Sequence, residues 1–244
     1  MPTLILTPRH TPDSQALWRA AGRLGWQVHR LTTWRVPEEL RTVDDPVLYA
    51  EALFAPTLAH ELGISLLEPP DDWLCTLPLQ YAQRAISLST LHDARSIKEP
   101  RFIKPPNDKS FPARVCSGSE LPTEFDPKMP VLVSDVVRWN KEFRFFILDR
   151  ARRTGSLYSR EGTPQRDEDF EAVPAEMTEA ESFVDSVLHD PRVQLPRAAV
   201  LDVGLIHDRG WAVVEQNAAW GAGIYGCDPA QVLGVLRVAS NGAR

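Results

Sequence analysis

Residues 199–223 read AVLDVGLIHDRGWAVVEQNAAWGAG. Two apolar runs, residues 200–206 and 211–214, flank the short polar stretch His207-Asp208-Arg209-Gly210, the pattern of an antiparallel hairpin. With Asp208 and Arg209 as the turn, Asp202 lies directly across from Glu215; with Arg209 and Gly210 as the turn, it lies across from Asn217. In either register three oxygen-bearing side chains share one face, because residues two apart on a strand point the same way and opposed pairs sit about 5 Å apart. Such a face suits Mg²⁺, a hard ion that takes one or two carboxylates and fills its other positions with water and substrate phosphates. Taken alone, the pattern is more commonly a solvent-facing polar stripe on a half-buried hairpin.

The rest of the chain sets the context. Its 244 residues are enough for one large domain or two small ones, and 43% hydrophobic with 25% charged residues argues against disorder. A formal charge of −6 without a Lys/Arg block argues against a nucleic-acid binder and favours small-molecule partners. Cys75, Cys116 and Cys227 are widely separated and odd in number, which speaks against a disulfide framework and against a zinc site of the CxxC kind. The opening MPTLILTPRH is too short in its apolar part for a signal peptide, and no run of about 18 apolar residues occurs. A cytoplasmic protein without a membrane partner is expected.

Residues 3–7 predict a buried strand. Ala16, Leu17, Ala20, Ala21 and Leu24 then recur with helical spacing up to Gly25, and residues 28–31 begin a second strand. This strand, helix, strand opening points to a parallel sheet, without the GxGxxG of a dinucleotide site. Arg9 and His10 fall at the C-terminal end of the first strand, where α/β proteins bind ligands, or are solvated loop residues. A strand over 46–49, a helix over 51–62, extended chain over 64–67, a Pro-rich loop and a helix from about 79 to 91 follow. Near residue 98 the pattern changes from α/β to β-rich, which divides the chain into residues 1–97 and 98–244. Short antiparallel strands are expected at 102–104, 113–115, 131–137, 142–148 and 156–159. Thr178 and Glu181 have capping-box spacing for a helix, and another helix is expected around 230–238.

Several residues in the second part are suited to chemistry. Lys104, in FIKP at a strand end, can point a compact charge at phosphate oxygens or snorkel into solvent. Lys109, in PPNDKSF, can reach the same anion or remain a solvated loop lysine; the loop is no P-loop, having neither Gly nor GxxxxGK[ST]. VLVSDVV ends in polar groups at Ser134 and Asp135, and its backbone can read a purine while apolar side chains hold the ring. In KEFRFFIL, Glu142, Arg144 and Phe146 share one face; a Glu-x-Arg pair turned inward must be paired or used on a ligand. The six histidines show no HxxH or HExxH spacing, and there is no GxSxG elbow.

Taken in order, FIKP, Lys109-Ser110-Phe111, VLVSDVV, EFRFFIL, VLDVGLI and VVEQNAAWGAGIYG resemble the ATP-grasp superfamily. More narrowly, the set is similar to the clade of small ATP-grasp proteins named for a signature of two arginines and one lysine. The resemblance spans roughly residues 98–229. It implies an α+β ATP-grasp fold preceded by a small α/β pre-ATP-grasp region that helps form the acceptor site. By the same resemblance Lys104 binds ATP phosphates and Lys109 lies on the loop covering them. Ser134, Asp135 and Val137 belong to the adenine hinge, Glu142 borders the nucleotide, and Arg144 contacts the transferring phosphoryl group or the acyl substrate. Asp202, Glu215 and Asn217 hold Mg²⁺, with Mn²⁺ as a substitute. The implied activity is ATP-dependent joining of a small carboxylate to an amine, amino acids or peptides among them, through an acyl phosphate. A small-molecule kinase on the same fold and a nucleotide-binding module with little turnover are the alternatives.

Overall fold

The computed structural model describes residues 1–107 and 110–241. Strand β1 (Thr3–Leu6) is entirely buried and leads into helix α1 (Pro12–Arg23). Thr11 and Ser14 cap that helix reciprocally, each side-chain oxygen accepting the other's backbone N–H at 3.0 Å, and Pro12 follows the cap. Strands β2 (Gln27–Arg30) and β3 (Pro46–Tyr49) lie parallel to β1 on either side. Helix α2 (Ala55–Leu62) stops at Gly63, whose φ of 64° is the left-handed conformation that glycine adopts without steric cost.

Short helices α3 (Trp73–Thr76) and α4 (Leu79–Ala82) precede β4 (Ile86–Thr90) and helix α5 (Leu91–Ala94). One helix over 79–91 is therefore not formed. It ends after four residues, with Gln83 at a φ of 52°, and the alternating ISLST stretch pairs as a strand instead. Residues 64–67 pair with no strand; Leu67 N–H donates to Ala239 O while the side chains of Ile64, Leu66 and Leu67 pack on the core.

Strands β5 (Arg101–Lys104), β6 (Arg114–Cys116) and β7 (Pro130–Ser134) join β4 in a four-stranded antiparallel sheet of order β4-β7-β5-β6. This sheet begins at Ile86, ahead of the change of pattern at residue 98. Its strand alternation separates two roles. Ile103 and Val131 face a small core with Leu91 and Phe111, whereas Phe102, Lys104 and Leu132 line a cavity on the other side.

Long strands β8 (Trp139–Leu148) and β9 (Ala151–Arg160), the short β10 (Thr163–Pro164), helix α6 (Pro174–His189), strands β11 (Ala198–Ile206) and β12 (Gly210–Asn217), and helix α7 (Pro229–Ala239) complete the chain. The five strands form an antiparallel sheet of order β10-β9-β8-β11-β12. Helix α6 starts at Pro174, so Thr178 is not its cap; the Thr178 hydroxyl donates to Pro174 O one turn back.

Phe143, Phe145, Ile147, Leu201, Val203 and Val213 cover one face of this sheet and pack with Ala180, Val184, Val187 and Leu188 of α6. On the opposite face, Phe146 and Val200 join a core built from α7 and the N-terminal β1, α1, β3 and α2. The N-terminal sheet thus shares its interior with the last helix, and Leu48 N–H donates to Ser240 Oγ at 2.9 Å across that junction. Among the described residues no helix is long and apolar enough to cross a membrane.

Gly155 pairs with Phe145 across β8 and β9, and a Cβ there would overlap the phenyl ring. Overpacking a core costs about 1–3 kcal/mol. Gly155→Ala is expected to lower unfolding stability by about that amount, read as a shift of the urea midpoint with an unchanged slope.

Candidate functional site

The β11–β12 hairpin closes through the three residues 207–209, with Asp208 at a φ of 61° and Gly210 at 104°. From Gly210 to Val213 the strands run in one register; between Asp202 and Val203 it shifts, so that Val214 is left unpaired. That bulge has a definite effect. It keeps Val213 with Val203 on the apolar face and turns Glu215 to the face of Asp202. Of the two registers compatible with the sequence, the first holds at the site: Asp202 lies across from Glu215, and Asn217 across from Val200.

On its other edge β11 pairs with β8, which sets Arg144 directly opposite Asp202. The two make a planar fork: Arg144 Nε donates to Asp202 Oδ1 at 2.8 Å and Nη2 to Oδ2 at 2.6 Å. The third nitrogen, Nη1, donates to Gly223 O at 2.9 Å. Tyr225 and Tyr158 lie against the guanidinium, with ring centres 4.8 and 5.6 Å from its carbon. Asp202 has no exposed surface, and burial pushes its carboxyl up to about 6 against the pull of Arg144. Burial also works against the Arg144 charge, but the carboxylate more than offsets it, so the guanidinium stays protonated.

Glu215 is reached from the other sheet. Lys104 donates to Glu215 Oε2, and the Asn217 amide donates to Glu215 Oε1 at 3.0 Å and to Asp202 Oδ2 at 3.1 Å. Burial disfavours the Glu215 charge, yet Lys104, Asn217 and Arg144 together hold its carboxyl down at about 2. Glu142, two residues before Arg144 on the same face, accepts from Tyr158 OH at 2.9 Å; burial raises its carboxyl above the usual range.

Beside this cluster, the two sheets enclose a cavity of about 340 Å³. Phe102, Leu132, Val137 and Trp139 supply apolar walls, and Lys104, Ser134, Glu142 and Glu215 bring polar groups to them. Strand pairing ends at Ser134; Asp135 N–H still donates to Ala85 O and Arg138 O accepts from His207 N–H, which leaves the backbone of Val136 and Val137 without a hydrogen bond among the described residues, with Asp135 and Val137 on the cavity wall. Asp135 is fixed by Arg101 at 2.5 Å and by the Ala85 N–H at 3.0 Å, so its carboxylate anchors the segment.

The structure therefore assembles Lys104, Glu142, Arg144, Asp202, Glu215 and Asn217 in one cluster and places Ser134, Asp135 and Val137 on the adjoining cavity; Lys109 lies outside the described residues. Sequence reading missed Arg84, Tyr158 and Tyr225. Arg84 falls in the stretch misread as helix; it lines the cavity, stacks over Trp139 at 5.1 Å and donates to the Val213 and Val214 carbonyls at 2.7 and 3.0 Å. It thereby braces the bulge. The signal for Tyr225 lay in the IYG that ends the quoted C-terminal motif.

Among the described residues, no three His, Cys, Asp or Glu side chains converge as a metal cluster. What is present is two carboxylates and one amide, all hard donors, with the carboxylates already balanced by Arg144 and Lys104. Such a set fits an ion that arrives with phosphates supplying its remaining positions better than a resident structural metal.

A family model for an ATP-grasp domain, the second family of the clade named for two arginines and one lysine, matches residues 81–235. No curated protein matches the chain. Solved structures do. A RimK domain protein of ATP-grasp type from Sphaerobacter thermophilus superposes with a TM-score of 0.56 at 15% identity, covering 98% of this chain and 99% of that one. D-cycloserine synthetase DcsG gives 0.58 at 12% identity over 97% and 98%. A D-alanine–D-alanine ligase from Bacillus anthracis gives 0.52 at 14% identity over 98% of both chains. At these identities the likeness establishes a shared fold.

Removing one partner of a buried ion pair costs about 3–5 kcal/mol, because the other charge is left without compensation. Arg144→Met is expected to lose about that much stability, and Arg144→Met with Asp202→Asn less than the sum of the two single changes. Urea denaturation of all four proteins measures the coupling.

Proposed function

The chain belongs to the ATP-grasp superfamily, within the clade named for two arginines and one lysine, and from that premise we propose that it is an ATP- and Mg²⁺-dependent ligase joining a carboxylate to an amine. The observation that carries the proposal is the meeting of Lys104 from one sheet with the Arg144, Asp202 and Glu215 row of the other, at the mouth of an apolar cavity between them.

Adenine fits the cavity, with the backbone of Val136 and Val137, which makes no hydrogen bond among the described residues, reading its edge and Phe102, Leu132 and Trp139 against the ring. Arg84 and Glu142 lie at its borders. Phosphates would then extend toward Lys104. Without nucleotide, Lys104 neutralises Glu215; with nucleotide, the lysine transfers its charge to phosphate oxygens and Glu215 is released to a cation. Asp202, Glu215 and Asn217 would hold that Mg²⁺, or Mn²⁺, which when bound screens phosphate charge and polarises the transferring group. Arg144 keeps its fork to Asp202 and lends a fixed positive charge to the same region. The γ-phosphoryl group passes to the substrate carboxylate, giving an acyl phosphate. The amine adds to the acyl carbon, the C–N bond forms as the C–O bond to phosphate breaks, and the displaced proton goes to solvent. A cytoplasmic site of action accords with this use of ATP.

Incubation with ATP, Mg²⁺ and amino acids or short peptides is expected to give ADP and inorganic phosphate in equal amounts. AMP with pyrophosphate contradicts the proposal, and ADP with a phosphorylated product and no free phosphate indicates a kinase. Lys104→Met is expected to weaken Mg-ATP binding by about tenfold to a hundredfold, the loss of one charge-assisted contact. Glu215→Gln should weaken it only when Mg²⁺ is present, as measured by calorimetry.

A further inference from the structure

Tyr225 stands in a backbone conformation that its side chain opposes. Ile224 to Cys227 form a tight turn, closed by Cys227 N–H donating to Ile224 O at 3.0 Å, and Tyr225 takes its first central position with a φ of 47°. Left-handed backbone at that position is where turns place glycine, and a bulky residue there costs free energy. Glycine is present one residue later, at 226, yet the aromatic residue occupies the strained place. Gly226 answers a different need: a Cβ on it would lie 2.6 Å from Phe170 Cβ.

The turn is fixed at both ends. Ile224 N–H donates to Asp13 Oδ2 at 3.0 Å, Asp228 N–H to Thr154 Oγ1 at 2.8 Å, and the buried Cys227 Sγ lies 3.3 Å from Ser156 Oγ. Strained backbone persists only where its surroundings over-determine it, and these contacts do so. The ring they deliver is the middle one of three: Tyr158 stacks on Tyr225 with centres 5.3 Å and planes 14° apart, and Phe170 lies against it at 5.5 Å. Of the two rings over the Arg144 guanidinium, Tyr225 is the nearer, at 4.8 Å against 5.6 Å for Tyr158. Its hydroxyl makes no hydrogen bond among the described residues, so the placement serves the ring.

The edges of that guanidinium are largely committed. Three of its five N–H groups donate, two to Asp202 and one to Gly223 O, which leaves two for a ligand. The fork prevents rotation within the guanidinium plane, but only a group over the face prevents the plane from tilting about the fork. Gly223 lets that group approach: a Cβ there would lie 3.5 Å from Tyr225 Cζ and 3.7 Å from Arg144 Nη1. We propose that Tyr225 is a positioning residue whose ring, forced onto the Arg144 face by the strained turn, sets the direction of the two remaining N–H groups. What that direction is used for rests on the ligase reading, in which they meet the negative charge developing on the transferring phosphoryl group.

Full-length wild type, Tyr225→Phe and Tyr225→Leu are titrated by calorimetry with Mg-ADP alone and with Mg-ADP plus aluminium fluoride, a mimic of the phosphoryl group in transfer. Fluoride is expected to tighten binding equally in wild type and Tyr225→Phe. Tyr225→Leu should lose about tenfold of that gain, the size of one desolvated cation–π contact, while all three proteins bind Mg-ADP alone alike. A full gain in Tyr225→Leu overturns the proposal, and so does an equal loss in Tyr225→Phe, which would assign the role to the hydroxyl. Urea denaturation of wild type, Tyr225→Leu, Arg144→Met and the double variant tests the clamp with no ligand present. The midpoint shift of the double variant should fall short of the sum of the single shifts, and additive shifts overturn the proposal. Fluoride without effect on wild type, together with non-additive urea shifts, supports the clamp and removes the phosphoryl-transfer reading.

Discussion

The fork between Arg144 and Asp202 is the constraint on which the site depends. It joins β8 and β11, neighbouring inner strands of the large sheet, where Asp202 is fully buried and Arg144 nearly so and an unpaired charge of either sign would be severely destabilising. Its planarity fixes the orientation of Arg144, and the remaining guanidinium nitrogen then ties down Gly223. Through that contact the position of the loop after β12 follows from the sheet itself. Pairing with Asp202 keeps Arg144 charged against the cost of burial and holds that charge in a fixed place, the property required of a group that stabilises developing negative charge.

The other half of the site comes from irregularity. A regular β12 would place Val213 and Glu215 on the same face, and only the bulge at Val214 sends one to the core and the other beside Asp202. Arg84 holds the carbonyls of Val213 and Val214, and burial lowers its own guanidinium to about 10, a cost the fold accepts at this corner. Lys104 then bridges from the smaller sheet, so its pair with Glu215 also links the two sheets across the cavity between them. On this account nucleotide binding exchanges partners at a single salt bridge and leaves the buried fork untouched.

Much of this was legible in the chain. The hairpin, the shared face of Glu142, Arg144 and Phe146, and the strand end at Lys104 follow from alternation, because the period of two is strict wherever one face is buried, whereas the strand expected over 131–137 stops at Ser134. The choice between two hairpin registers was not legible, since it rests on a bulge braced by Arg84 from a distant segment. Arg84 itself was concealed because residues 79–91 carry helical spacing, while pairing with β7 decides the outcome for Ile86–Thr90. Thr178 offered a cap in the correct spacing, but Pro174 opened the helix one turn earlier. In each case a long-range contact or a stronger local signal overrode the preference read from spacing, as is common where strands form.

The exchange at Lys104 is the central claim, and a crystal structure with Mg²⁺ and a non-hydrolysable ATP analogue tests it most directly. The account predicts the lysine ammonium on phosphate oxygens, the Glu215 carboxylate on the metal and the Arg144–Asp202 fork unchanged. A bound nucleotide with the Lys104–Glu215 pair still closed, or a nucleotide lodged outside the cavity between the two sheets, would contradict it.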